Sequence, residues 1–285
     1  MATNAIVDAD PICYAIAFAS QDYAVVDDEG NVCNVYESMR DAREAAMYEG
    51  DHILPSPHDL DTVTDRVDDF LFYLQEELNA GFIRSFLTPP DIEKNFRRKL
   101  NPEYKANRKD FVKPYHHSNI RKYLMDEWGS ELATEGLEAD DELAIIGWRA
   151  FKEDDDSVII CSIDKDLDTV PGWHYRWPTH NKEGSLYYQH QADARFAFWA
   201  SALTGDGADN IIGIKGVGPK KSSKILEDCE TEIDYYTACK DQYVKHFAEK
   251  LGSAESAVEY LHLNCRMLHL LRHEEDKWEV PDGVQ

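Results

Sequence analysis

Ser157-Val158-Ile159-Ile160-Cys161-Ser162-Ile163 is an unbroken, mostly apolar run that closes on Asp164-Lys165-Asp166. A run of this length bounded by acids reads as a strand buried on both faces. Ala5-Ile6-Val7, ending in Asp8, has the same form. Between and after the two runs come stretches with helical spacing at 63–78, 120–128 and 140–151. Strands alternating with helices predict an α/β fold around a central, mostly parallel sheet. In such a sheet the carboxyl ends of the strands form the ligand crevice, which places Asp8, Asp164 and Asp166 there.

Outward from this frame, residues 23–26 and 32–36 are two β-prone runs around Asp28-Glu29-Gly30-Asn31, a plausible hairpin. Pro55, Pro57, Pro89 and Pro90 are expected in loops, and the glycine-rich stretch 205–221 opens a more helical C-terminal third. The 285 residues suit one large domain with a smaller appendage, divided here as 1–195 and 196–285. The hydrophobic and aromatic fractions, 43% and 11%, are those of a folded globular chain. No segment approaches the ~20 apolar residues of a membrane span, so the expectation is a soluble protein without a membrane partner. Residues 1–20 carry Asp8 and Asp10 and no basic lead, unlike a secretory signal, which predicts a cytoplasmic location. Six scattered cysteines support neither a zinc site nor a disulfide framework.

A net charge of −25 would ordinarily repel a nucleic acid. The distribution says otherwise. Between positions 94 and 122 stand Lys94, Arg97, Arg98, Lys99, Lys105, Arg108, Lys109, Lys113, Arg121 and Lys122, a third of all Lys and Arg, against only Glu103 and Asp110.

The acids fall into four groups. Asp8 follows the first strand, with Asp10 two residues on. Taken alone, Asp8 could be an ordinary turn aspartate. Gly136-Leu137-Glu138-Ala139-Asp140-Asp141 precedes a helical run, where one or two acids complement the helix dipole and orphan amides. Three so close repel unless something cationic sits among them. Asp164 and Asp166 would point to one side of an extended chain, with Asp168 close behind. Gly205-Asp206-Gly207-Ala208-Asp209-Asn210 places Asp206 and Asp209 three apart, on one face of a turn if a helical turn forms. So many carboxylates in one cleft cannot all ionise near neutral pH without cations, and oxygen-only donors select hard ions such as magnesium or manganese.

Ile211-Ile212-Gly213-Ile214-Lys215-Gly216-Val217-Gly218-Pro219-Lys220-Lys221 reads as a helix end, a tight glycine turn and a new helix with Pro219 in its first turn. Gly216 and Gly218 would let a phosphate approach the bare helix N-terminus, with Lys215, Lys220, Lys221 and Lys224 around it. The spacing is not that of a nucleotide phosphate loop. The whole, about 205–226, resembles a helix-hairpin-helix, which grips duplex backbone without reading sequence.

With these segments in view, the chain resembles the 5' nuclease (flap endonuclease) superfamily, which includes phage 5'-3' exonucleases and the 5' nuclease domain of bacterial DNA polymerase I. Ile6-Val7-Asp8, the segment Asn95-Phe96-Arg97-Arg98 through Tyr104-Lys105-Ala106-Asn107-Arg108, Glu138-Ala139-Asp140-Asp141, Ser162 to Leu167 and the 205–220 stretch match family motifs in order and spacing. The resemblance implies a PIN-like sheet, a helical arch at about 94–122 and a C-terminal helical DNA-binding domain. It implies two metals, magnesium or manganese, roughly 4 Å apart, acting on an in-line displacement. Asp8, Glu138, Asp140 and Asp141 would hold the first and Asp164, Asp166, Asp206 and Asp209 the second, with Asp10 and Asp91 as further candidates. A potassium ion at the hairpin is also implied. Lys105 and Arg108 would neutralise charge on the scissile phosphate, and Tyr104 would stack on an unpaired base. Arg97, Arg98, Lys99, Lys109, Lys113 and the hairpin residues would bind DNA.

The implied activity is structure-dependent 5'-3' exonuclease or flap cleavage that leaves a 5'-phosphate, by a monomer in phage DNA replication or degradation. DNA with a 5' end or flap is the expected partner, and an RNA-DNA hybrid a further one. The chain departs from the family pattern in two places. Phe86-Leu87 is followed by Thr88-Pro89-Pro90 where the second motif usually supplies an aspartate, Asp91 being the nearest substitute. The family's arginine soon after the first motif is missing, with Ala15 near that place. The competing readings are a PIN-type ribonuclease, which ordinarily lacks the glycine hairpin, and a DNA-binding protein that lost catalysis.

Overall fold

A computed structural model describes residues 3–48 and 50–283. The chain begins with β1 (Thr3–Asp8) and α1 (Asp10–Ala19), followed by β2 (Gln21–Val26), β3 (Val32–Tyr36), α2 (Met39–Ala45) and β4 (His52–Pro57). Next come α3 (Leu60–Glu77), β5 (Ala80–Leu87), the short α4 (Phe96–Leu100), α5 (His117–Glu127), β6 (Glu131–Leu132) and α6 (Ala139–Lys152). After β7 (Val158–Cys161), β8 (Gly172–Arg176) and β9 (Ser185–Gln189) the chain turns helical. It continues with α7 (Gln191–Thr204), a minimal ladder of β10 (Gly205–Asp206) and β11 (Ile211–Ile212), then α8 (Pro219–Leu226), α9 (Glu232–Leu251) and α10 (Ala254–Leu268).

The main sheet has the order β6-β5-β1-β7-β8-β9, parallel except for β9. This is the expected α/β architecture, with the two sequence-read strands side by side at its centre. From β1 the chain first builds towards β5 and β6 and then crosses to β7 on the other side. The crevice between the carboxyl ends of β1 and β7 is therefore a topological switch point, where ligands of such sheets bind. One face of the sheet packs on α1, α3 and α5 through Ile12, Val67, Leu71 and Leu124, and the other on α6 through Leu143 and Ala144. A third apolar cluster, around Trp199, Tyr243 and Leu261, unites α7 to α10.

Gly147 lets α6 lie close against the sheet: a Cβ there would meet Ile160 Cδ1 at 2.6 Å and Val170 Cγ1 at 2.8 Å. Neither is the loose end of a surface chain. Gly147→Ala is expected to destabilise the protein by ~1–3 kcal/mol, the usual cost of overpacking. Urea denaturation checks it, and an unchanged midpoint would mean that α6 can lift without penalty.

The hairpin read at 23–36 is present as β2 and β3, but it carries a third strand. Pro55 and Pro57, expected in loops, lie in β4 opposite Tyr23 and Gln21. They are tolerated because β4 is an edge strand of the order β3-β2-β4, where missing N–H groups can face away from the ladder. The basic stretch consists of α4, two single 3₁₀ turns and an irregular loop, and its last residues enter α5, whose Ile120 and Leu124 are core.

Two local expectations are corrected. Ile211-Ile212 is not a helix end but β11, paired antiparallel with β10. The preceding helix stops at Gly205, whose φ is +71°, and the backbones of Gly205 and Gly213 pass so closely that a Cβ on either would collide with the other's main chain. Past β7 the chain does not stay extended. It winds into a 3₁₀ turn, Lys165–Thr169, capped by the Asp164 side chain, so the extended geometry that would have put Asp164 and Asp166 on one side of a strand does not apply. Among the described residues, no helix is long and apolar enough to cross a membrane.

Candidate active site

Asp8 ends β1 and is nearly buried. Ser162 donates its hydroxyl to Asp8 Oδ2 at 3.0 Å, and the Asp10 amide donates to Oδ1 at 3.2 Å. Burial, followed by the charges of Asp10 and Asp164, pushes its pKa up to about 8 despite the Ser162 bond. Asp164 accepts from the Asp166 amide, and Asp166 is pushed up to about 6 by burial and then by Asp164. Asp166 and Asp206 share one cation, the Lys165 ammonium, at 2.9 and 2.5 Å. Burial opposes ionisation of Asp206, but Lys165 outweighs it and holds the carboxyl below its ordinary range.

The second half of the site is built around Glu138 at the start of α6. Lys105 donates to Glu138 Oε1, and the Tyr104 hydroxyl donates to Glu138 Oε2 at 2.6 Å. Both residues also reach Asp209, at 3.6 Å from Lys105 Nζ and 2.8 Å from Tyr104 Oη. Arg108 adds a bond to Asp209 Oδ1 at 2.6 Å. Burial disfavours the Glu138 carboxylate, yet Lys105 and Arg97 overcome it and lower its pKa. Burial likewise opposes the Lys105 charge and is overridden by Glu138, Asp209 and Asp140. Lys105 adopts a left-handed backbone, φ +55°, a conformation that costs a side-chain-bearing residue on the order of 1–3 kcal/mol and tends to persist at working sites. Its amide is held by Asp209 O at 2.9 Å, and Asn107 and Arg108 bond the carbonyls of Gly207 and Ala208. The loop 103–108 and the turn 205–210 are thus locked together.

Asp140 stands apart. The residue is half-buried, but its Oδ1 is sealed from solvent with no hydrogen-bond partner. Burial, then Asp141 and Glu138, raise its pKa well above the ordinary value. Such an oxygen is costly unless something supplies positive charge. Among the described residues no three His, Cys, Asp or Glu side chains already meet at a coordination point; the ammoniums of Lys105 and Lys165 stand between the acids instead.

Three expectations fail here. Tyr104 is 1% exposed and packs into the helical core beside Trp199, so its ring has no face free for a base; its hydroxyl organises Glu138 and Asp209. Arg97 is 2% exposed and cannot touch DNA. Its guanidinium makes two 2.7 Å bonds to Asp141 and reaches the carbonyls of Met267 and His269. Asp141 is in turn fully buried, with both oxygens used by Arg97 and one also capping the Glu138 amide, which leaves no free donor for a metal.

Of the remaining residues, Asp10, Asp91, Arg98, Lys109 and Lys113 line one cleft of about 480 Å³ with Lys105, Arg108 and Glu138. Asp91 caps the Glu93 amide, and Arg98 bonds Tyr104 O and Glu93. Lys99 faces a different cavity, beside the C-terminal segment. Lys215, Gly216, Lys220 and Lys221 are exposed around the N-terminus of α8, with Gly218 as its cap and Gly216 at φ +79°. Arg121, counted in the sequence only as a basic residue, binds Asp10 and Thr88 O at the cleft wall, so a guanidinium does stand beside the first acid group.

No family model matches the chain. It is 25% identical over 226 residues to the flap endonuclease Xni of Vibrio parahaemolyticus, spanning 74% of this chain and 84% of that protein. It is 34% identical over 146 residues to the thermostable DNA polymerase I of Thermus aquaticus, 47% of this chain but 17% of the polymerase. The exonuclease of Escherichia phage T7 matches at 30% over 126 residues, 44% of this chain and 41% of that one. Among solved structures, T5 5'-exonuclease with bound zinc superposes with a TM-score of 0.53 at 18% identity, covering 93% of this chain and 89% of that one. The fold and these relatives fit the 5' nuclease superfamily, which the chain resembles.

Proposed function

We propose that the protein is a structure-dependent 5'-3' exonuclease and flap endonuclease that hydrolyses DNA phosphodiesters with divalent metals, magnesium or manganese. The observation that carries this reading is the sealed, unpartnered Oδ1 of Asp140 beside Glu138, in a crevice edge that also gathers Asp8, Asp164, Asp166, Asp206 and Asp209. Carboxyls whose ionisation is opposed by burial and mutual repulsion fit a site that receives hard cations. Asp8, Glu138 and Asp140 would hold one ion and Asp164, Asp166, Asp206 and Asp209 another, with Asp10 and Asp91 at the rim. When bound, such ions supply an activated water and charge stabilisation of the leaving oxygen.

The rest is the work of the chain's own residues. Ser162 fixes the rotation of the Asp8 carboxylate, and Tyr104 fixes those of Glu138 and Asp209. Lys105, only 13% exposed on its side chain, keeps a positive charge at the crevice where an incoming phosphate would gain negative charge. Arg108, half-exposed, can turn from Asp209 to a phosphate oxygen. Lys109 and Lys113 would track a single strand along the cleft, and the amides and lysines at the start of α8 would grip the duplex.

Lys105→Ala is expected to slow the chemical step by on the order of 10²–10³-fold, the loss typical of one transition-state donor, with a smaller effect on DNA affinity. Single-turnover rates equal to the native chain would remove that role. The activity itself is tested with a 5'-labelled duplex, with and without a 5' flap, in magnesium and in EDTA. Magnesium-dependent release of short 5' fragments bearing a 5'-phosphate supports the proposal. Binding without cutting in either condition contradicts it, and cutting restricted to RNA would favour a PIN-type ribonuclease.

A further inference from the structure

We propose that Lys165 is a resident counter-cation: in the metal-free chain its ammonium holds Asp166 and Asp206 together, and a divalent ion entering this half of the site must displace it. The inference rests on the reading of these acids as a metal centre. The two carboxylates come from the 3₁₀ turn after β7, which packs on α7, and from β10, which directly follows α7, so the packing of that turn on α7 brings the two acids together. Asp206 is nearly buried and Asp166 partly so. Two anions brought together where water is scarce repel strongly, and a single ammonium between them converts that repulsion into a bridge. Lys165 Nζ stands in that place, 2.9 Å from Asp166 Oδ1 and 2.5 Å from Asp206 Oδ2.

A comparison with Lys105 separates a fixed cation from a releasable one. Lys105 also bridges the two parts of the chain, through Glu138 and Asp209, but its side chain is 13% exposed and stacks over the Tyr104 ring. The Lys165 side chain is 62% exposed, and its bridge consists of the two carboxylates alone. A long, flexible stem with its root at the surface can swing its ammonium into water without disturbing the core. A divalent ion offers the same two carboxylates twice the charge, and both cations cannot occupy one gap. Metal affinity in this half of the site is therefore set by competition with Lys165, and the metal-free fold is protected by it.

The test is manganese binding to the full chain without DNA, measured by calorimetry or electron paramagnetic resonance, for the native protein, Lys165→Met and Lys165→Arg. Lys165→Met is expected to bind manganese roughly tenfold more tightly in the weaker class of sites, about 1.4 kcal/mol, and to melt at a lower temperature in EDTA. Its melting temperature should rejoin the native value in saturating manganese. Lys165→Arg, which keeps the charge, should bind no more tightly than the native chain. Unchanged or weaker manganese binding by Lys165→Met overturns the inference while leaving the metal centre standing, and would make Lys165 an orienting donor. A native chain that binds no manganese overturns both.

Discussion

Asp140→Asn should melt no lower than the native chain in EDTA and yet cleave DNA more than ~100-fold more slowly. The two effects have opposite signs for one reason. In the metal-free fold the Asp140 carboxylate carries a sealed, unpartnered oxygen and sits against Asp141 and Glu138, so its charge opposes folding. Asparagine has nearly the same shape without that charge, and removing a disfavoured ion from a working site commonly stabilises a protein at the expense of activity. For catalysis the charge is what a metal requires. Loss of groups that merely orient metal ligands costs ~10–100-fold, so loss of a ligand should cost more. Single-turnover cleavage in saturating magnesium, paired with a thermal melt in EDTA, reads both effects. A variant that is less stable and still cleaves would mean that Asp140 is an ordinary N-terminal helix acid.

Arg97→Met is expected to destabilise the protein by ~3–5 kcal/mol, the cost of leaving a buried partner charge uncompensated. In a chain of this size that corresponds to a fall in melting temperature on the order of 10 °C. Arg97 links three parts of the molecule: α4, the start of α6 through Asp141, and the end of α10 through Met267 O and His269 O. Methionine leaves Asp141 buried without its cation and strands two carbonyls. Lysine cannot replace the forked geometry and should rescue little. A double variant, Arg97→Met with Asp141→Leu, should recover much of the loss because the tightest buried pair is removed whole, and Glu138, the other acid beside Arg97, keeps Lys105 as its cation. Denaturation in urea measures all three, and a single-variant change below ~1 kcal/mol would show that Asp141 finds water or another cation.

Asp140 and Arg97 also mark how far the chain can be read without its fold. The strand ends carrying Asp8 and Asp164 are legible because a short apolar run closing on acids suits a buried strand that ends at a polar edge, and both runs are strands; that they lie side by side at the centre of the sheet is seen only in the fold. The helix after Glu138 is legible from its apolar spacing. The crowding of Glu138, Asp140 and Asp141 asks for a cation among them, but does not identify it. One such cation is Arg97, which in the sequence is one of ten basic residues and carries no mark of burial, since the groups that enclose it come from α10 and the segment after it. Tyr104 escapes the sequence for a related reason: an aromatic beside lysines suits a base-stacking platform equally well until the helical core that absorbs it is known. The prolines of β4 hide an edge strand, because proline argues against a strand everywhere except at an edge. Glycine spacing at 205 and 213 points to a tight passage, but not to the two-residue ladder formed there.

The most direct test of the metal centre is diffraction from crystals of the full chain soaked in manganese, with anomalous scattering used to locate the ions. The expected result is peaks enclosed by Asp8, Glu138 and Asp140 and by the Asp164, Asp166, Asp206 and Asp209 group, with the Lys165 ammonium turned out to solvent. Crystals in which no peak appears at this crevice, the acids remaining paired with Lys105 and Lys165, would contradict it.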